Sequence, residues 1–146
     1  MIRKIRKEDK EAYLEMSTAF YSSEAVCHNV PGKYLADTFD ELMRSDNYEI
    51  GYIFEYQNNI AGYALLSKTF SQEAGGLVVW IDELYSKPEY RCHGLGHEFF
   101  NFIIDNLKPD IKRIRLEVRE NNVKAISLYK KMKFDKLPYL QMIKDH

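Results

Sequence analysis

Three groups of residues could do chemistry. An acidic pair, Asp82-Glu83, follows the apolar run Leu77-Val78-Val79-Trp80-Ile81 and precedes Leu84-Tyr85. A carboxylate set beside an apolar strand is a candidate proton acceptor, because burial disfavours its charged form. Side chains alternate along a strand, so the two are expected to face opposite sides, with only one turned toward a substrate. The second group is the turn Arg91-Cys92-His93-Gly94-Leu95-Gly96, placed where a helix opens. Unpaired backbone N–H groups and the helix dipole together make an anion site there, suited to phosphate. Gly94 and Gly96 would let phosphates approach the backbone with no Cβ in the way. The third group lies in Asn122-Val123-Lys124-Ala125-Ile126-Ser127-Leu128-Tyr129. Nearly two helical turns separate its first and last residues, which puts both on one helix face.

The elements that must position these groups read as alternating strands and helices. Ile2 to Arg6 alternates apolar and basic residues as a first strand. Asp9 is placed to cap a helix through about Phe20, with Ala12, Met16, Ala19 and Phe20 on one face. A loop from Tyr21 to Pro31 leads to a second helix, Gly32 to Arg44, whose apolar set is Tyr34, Leu35, Phe39, Leu42 and Met43. Gly51 to Gln57 and Ile60 to Lys68 are strands, joined by a hairpin turn at Asn58-Asn59. The turn-rich stretch Ser71 to Gly76 connects to the strand Leu77 to Tyr85. A helix from His97 to Leu107 follows the glycine turn, with Leu95, Phe99, Phe102, Ile103 and Leu107 facing inward. Lys112 to Arg119 alternates as a further strand. Asn121 or Asn122 caps a helix ending near Lys133, and Phe134 to Ile143 is expected to close the chain as one or two short strands. The order β-α-α-β-β-β-α-β-α-β is α/β with a mixed sheet.

Length and composition bound the function. At 146 residues the chain fits one domain over 1–146. Hydrophobic residues make up 45% and charged residues 29%, ordinary for a globular protein. No apolar run reaches a membrane span, and Met1-Ile2-Arg3-Lys4 has no signal-peptide core, so a cytoplasmic location is the expectation. Cys27 and Cys92 form neither a metal-ligand spacing nor a disulfide framework, and no metal is expected. A net charge of −1 argues against nucleic acid as a partner. Residues 1–75 carry −4 and residues 76–146 carry +3, a division that suits a cationic acceptor on one side and a phosphate-bearing cofactor on the other.

The glycine turn is neither a P-loop nor a three-glycine dinucleotide fingerprint. The ordered set of an acidic pair on a strand, R-x-x-G-x-G, a helix, a strand and N-x-x-A-x-x-x-Y on a last helix resembles the GNAT superfamily of acetyl-CoA-dependent N-acetyltransferases. The resemblance runs from about Ile2 to the end and is strongest from Trp80 to Phe134. It implies an α/β (α+β) layout: a mixed, mostly antiparallel twisted sheet flanked by helices and splayed at the acetyl-CoA site. It also implies N–H groups of Arg91, Cys92, His93, Gly94, Leu95 and Gly96 on the pyrophosphate. The strand edge at Leu84, Tyr85 and Ser86 would pair with the pantetheine arm, with a backbone N–H there, that of Leu84 being favoured, polarising the thioester carbonyl. Asn122 would bind the pantetheine or phosphate region. Asp82 or Glu83 would be the general base, with counting back from Arg91 favouring Asp82. Tyr129 would protonate the departing thiolate. The implied reaction is acetyl transfer to a primary amine of a small molecule by direct attack in a ternary complex; a domain that binds coenzyme A without turnover is the alternative. Homodimers are frequent in the superfamily. None of His28, His93 and His97 is expected to be the base, and the segments Tyr21 to His28 and Glu73 to Gly76 are expected to shape the acceptor pocket. The chain departs from the family where a glycine usually follows the tyrosine helix, since Lys133 stands there.

Overall fold

Five strands lie side by side in chain order, β1-β2-β3-β4-β5, in one sheet. The computed structural model describes residues 1–146. The strands are β1 (Ile2–Lys4), β2 (Glu49–Tyr56), β3 (Asn59–Ser71), β4 (Gly76–Ser86) and β5 (Ile111–Leu116). The helices are α1 (Lys10–Tyr21), α2 (Gly32–Arg44), α3 (Leu95–Asn106) and α4 (Val123–Lys131). β1 to β4 pair antiparallel, and β5 joins β4 parallel after the α3 crossover. The sheet is therefore mixed and mostly antiparallel, as expected.

Both faces of the sheet are covered, which explains why the middle of β3 is apolar on successive residues rather than alternating. Ile53, Tyr63 and Leu65 meet Tyr13, Met16 and Phe20 of α1 and Phe39 and Leu42 of α2. Phe54, Ala64, Leu66, Val79 and Ile81 meet Leu95, Phe99, Phe100 and Ile103 of α3 on the opposite face. The buried stripe of α1 is Tyr13, Met16, Ser17 and Phe20, with Ala19 exposed. Asp9 stands at the start of α1, but its carboxylate turns back to the Arg6 N–H and to Arg3, whose guanidinium donates to both of its oxygens at 2.8 and 2.9 Å. This pair fastens β1 to α1.

Element ends differ from expectation in several places: β1 stops at Lys4 and not Arg6, β3 runs on to Ser71, and β5 stops at Leu116, short of Arg119. The β2–β3 turn is Gln57-Asn58, both with positive φ (50° and 64°), one residue earlier than expected. The segment from Phe134 to Ile143 forms no strand. Pro138 has no N–H to give a ladder, and the tail reaches the sheet through side chains: Tyr139 donates to Glu73 and Gln141 to Glu117. Leu140, Met142 and Ile143 are exposed along it.

Candidate active site

β4 and β5 run together from Leu77↔Ile111 to Ile81↔Leu116. β5 then stops, while β4 continues to Ser86. The two strands part there, and the edge of β4 from Asp82 to Ser86 is left without a partner on the β5 side. A cleft of about 990 Å³ opens at the parting. Asp82, Leu84 and Ser86 form one wall, α4 the opposite wall, and the turn from Arg91 to His97 the floor; Phe20, Tyr21, Val26 and Cys27 close the remaining side.

The floor is built as an anion cradle. Gly94 holds the N-cap of α3 at φ 78°, and Cys92 two residues before it has φ 64°. The first helical bond recorded from the turn is that of Glu98 N–H to the Gly94 carbonyl at 2.9 Å, so the N–H groups before Glu98 in the first turn have no intrahelical partner. Space around the missing Cβ of Gly94 is open to 4 Å. Gly96 answers a different need, since a Cβ there would stand 2.9 Å from Leu128 of α4. Arg91 is held by its own Nε, which donates to the Ser86 carbonyl at 3.2 Å. The His93 imidazole turns away from the cleft, with Nδ1 2.9 Å from the Arg91 carbonyl and its ring 4.8 Å from that of Tyr56.

The acidic pair does not divide between the two faces of β4. Leu65 pairs with Glu83 and Leu66 with Ile81, so Asp82 is the extra residue of a β-bulge. The bulge interrupts the alternation and brings Asp82 and Glu83 to the α1/α2 face together. Asp82 is exposed in the cleft. Partial desolvation raises its pKa; the Ser67 hydroxyl works against that rise and the Glu117 charge adds to it. Glu83 is buried at 4% exposure, accepting one hydrogen bond from the Tyr21 hydroxyl at 2.5 Å and another from Tyr63. Burial raises its pKa, against the two phenol donors.

Asn122 caps α4, its side-chain oxygen accepting from the Ala125 N–H at 3.3 Å. Tyr129 lines the cleft while its ring packs against Phe100 (5.7 Å) and Phe134 (6.1 Å). Burial raises its phenol pKa. No buried side-chain oxygen or nitrogen lacks a partner, and the Tyr129 hydroxyl has no partner within the protein; it therefore opens on the cleft.

The structure thus brings together Asp82, Leu84, Ser86, Arg91, Cys92, Gly94, Leu95, Gly96, Asn122 and Tyr129 around one cleft. Tyr85 directs its ring to Tyr63 on the far side, and Glu83 sits behind the cleft wall. The turn Glu73 to Gly76, expected near the acceptor, lies at the opposite end of β4, where Glu73 pairs with Arg113. Three contributors went unread in sequence. Tyr63 looks like any core aromatic of a strand. Glu49, half-buried beside the acidic pair, has its pKa pushed up to about 7 by burial and then by the charges of Asp82, Glu41 and Glu83. Arg119 donates to the carbonyls of Glu24 (2.9 Å) and Val26 (3.4 Å), tying the α1–α2 connection to the segment after β5.

Comparison with known proteins gives a consistent pattern. The model of the acetyltransferase (GNAT) family matches residues 9–134. A spermine/spermidine N(1)-acetyltransferase of Bacillus subtilis (strain 168) is 30% identical over 83 residues, 54% of this chain and 55% of that relative; the match spans about half of its length. A protein of the same strain, provisionally named an alanine N-acetyltransferase of ribosomal protein bS18, is 26% identical over 136 residues, 89% of this chain and 77% of the relative. Among solved structures, a possible acetyltransferase from Clostridium difficile 630 superposes with a TM-score of 0.85 at 18% identity, covering 100% of this chain and 97% of that one.

Proposed function

The chain belongs to the GNAT acetyltransferase family, and we propose that it transfers the acetyl group of acetyl-CoA to a primary amine of a small cationic molecule, by direct attack in a ternary complex. The observation that carries this reading is the convergence of a glycine cradle, an unpaired strand edge, the Asp82 carboxylate and a tyrosine hydroxyl on the cleft between β4 and β5. A domain that only bound the cofactor would need the first two and not the last two.

The cleft fits acetyl-CoA, which supplies the acetyl group as a thioester. The first-turn N–H groups of α3 hold the pyrophosphate, where the open space at Gly94 admits it. The free edge of β4 from Leu84 to Ser86 takes the pantetheine arm as an added strand, and a backbone N–H there polarises the carbonyl. Asn122 serves this site as the cap that fixes the first turn of α4 at the cleft. Tyr129, protonated at neutral pH because burial raises its pKa, donates to the departing thiolate. Asp82, exposed in the cleft, binds the acceptor as an ammonium, and the acidic pair supplies the carboxylate that takes its proton. The reading calls for no metal ion.

The acceptor class is supported by charge. Beyond burial, the Asp82 charge raises the pKa of both Glu49 and Glu83, and the Glu83 charge adds to the rise at Glu49; a bound ammonium relieves that repulsion. A calorimetric titration of the chain with acetyl-CoA tests the cofactor half. Micromolar binding is expected for the wild type and for Tyr129→Phe, and none for Gly94→Asp, which places a carboxylate in the anion cradle. Thiol release with spermidine, compared with a peptide bearing an N-terminal alanine, then tests the acceptor. Faster turnover of the peptide would overturn the small-molecule assignment.

A further inference from the structure

Glu83 cannot be reached from the cleft. It is 4% exposed and contributes nothing to the cleft wall. Of its two oxygens, Oε2 accepts from Tyr63, itself 1% exposed, and Oε1 accepts from Tyr21 at 2.5 Å. Tyr21 alone of these three lines the cleft, within reach of the Asp82 charge. It is the last residue of α1, and its ring is set edge-on to Phe20 at 5.1 Å between centroids. Tyr21 is thus the cleft-lining residue whose hydroxyl connects to the buried Glu83 carboxylate.

We propose that Tyr21 relays the proton of the acceptor amine to Glu83. This rests on the acetyl-transfer reading above. In the step, an N–H bond of the acceptor ammonium breaks and its proton passes to Tyr21 Oη. The Tyr21 O–H bond breaks in concert, and that proton passes to Glu83 Oε1. The nitrogen keeps the electron pair and is free to attack; Tyr21 ends as it began, a neutral phenol, and Glu83 ends neutral. Burial and the Glu83 charge hold the Tyr21 phenol above its ordinary pKa, so it passes a proton on without resting as a phenolate. Tyr63 holds the other carboxylate oxygen and fixes the orientation of Glu83. Asp82, in the cleft itself, holds the ammonium by charge.

The groups facing this relay are Tyr13 and Tyr21 of α1, Glu49 of β2, Tyr63 of β3 and Asp82 of β4. Only the carboxylates among them titrate between acid and neutral pH, so the limb of the pH–rate profile in that range belongs to Glu49, Asp82 or Glu83, and single variants assign it.

The test is thiol release from acetyl-CoA with spermidine and a panel of primary amines, with kcat/KM followed against pH. The variants are Tyr21→Phe, Glu83→Gln, their combination, and Asp82→Asn, each checked for acetyl-CoA affinity by calorimetry. Tyr21→Phe and Glu83→Gln are each expected to lose about 100-fold and to flatten the acidic limb. The double variant is expected to be no slower than either, and Asp82→Asn to keep the limb. A Tyr21→Phe enzyme with the wild-type limb overturns the relay, as do multiplicative losses in the double variant. So does a Tyr21→Phe variant that no longer binds acetyl-CoA, which would make the residue structural. No turnover by the wild type with any amine, acetyl-CoA being bound, removes the acetyl-transfer reading and the relay with it.

Discussion

Asp82 and Glu83, adjacent in the chain, stand on the same face of β4 because Asp82 is the extra residue of a β-bulge between the Leu65↔Glu83 and Leu66↔Ile81 pairs. Regular pleating would have sent one of them into the apolar contact with α3. The bulge instead gives two carboxylates to the acceptor side, one in the cleft and one behind it. That separation assigns different work to each. Asp82→Asn is expected to raise KM for spermidine about tenfold with little change in kcat, since it removes charge that attracts the ammonium. The difference should shrink as salt rises, because Asp82 is exposed. A kcat loss with KM unchanged would contradict the binding role.

Glu49 makes stability pH-dependent. Its pKa rises from 4.5 to about 7 on folding. A carboxyl with a raised folded pKa binds protons more tightly in the native state, so its stabilising contribution is full below about 4.5 and is lost as pH rises through about 7. Glu49→Gln should therefore leave stability near pH 4 unchanged and increase it at pH 8. The shift alone would correspond to about 3 kcal/mol, but Glu49 is half-buried and solvent screening reduces the expectation to about 1 kcal/mol. Urea unfolding at the two pH values measures it, and an equal gain at both would refute the charge explanation.

Tyr129 is fixed by packing and not by hydrogen bonds, which makes a conservative test possible. Phenylalanine keeps the contacts with Phe100 and Phe134 and removes only the hydroxyl that opens on the cleft. Tyr129→Phe should lower kcat about 100-fold while acetyl-CoA affinity stays within about twofold. Restoration of turnover with an acetyl thioester of more acidic thiol would identify the lost step as protonation of the leaving group. Equal losses with both thioesters would argue against it.

The sequence made the frame of this site legible because each part has a local signal. The glycine turn, the Asn122 cap and most of the inward face of α3 follow from residue types at fixed spacing, with fully buried Phe100 outside the expected set, and α2 runs from Gly32 to Arg44 as its pattern predicts, with Tyr34 of its expected apolar set exposed. The bulge at Asp82 has no such signal. It is a property of pairing with β3, and no residue in β4 announces it. The same holds for Tyr63 and Tyr21, far apart in the chain, which reach Glu83 only through the fold. Charge coupling at Glu49 was unreadable for the same reason, since it depends on cross-strand neighbours. The tail after Phe134 failed in another way: its apolar residues suggested strands, while Pro138 and the lack of a paired partner leave it irregular.

Lys133 shows a sequence departure with a measurable cost. The end of α4 closes with Phe134 N–H on the Tyr129 carbonyl and Lys133 N–H on the Lys130 carbonyl, both 3.0 Å, which requires a left-handed residue between them. Lys133 supplies it at φ 65°. A side chain with a Cβ is strained there by about 1 kcal/mol relative to glycine. The bend is needed, because it turns Phe134 onto Phe100 and Tyr129. Lys133→Gly should stabilise the protein by about 1 kcal/mol, raising Tm by roughly 2–4 °C, and leave kcat unchanged, since the geometry of Tyr129 is kept. Lys133→Ala, which retains the Cβ, should change stability by no more than a few tenths of a kcal/mol. If alanine and glycine gave the same Tm, the left-handed strain would not be what limits the end of this helix.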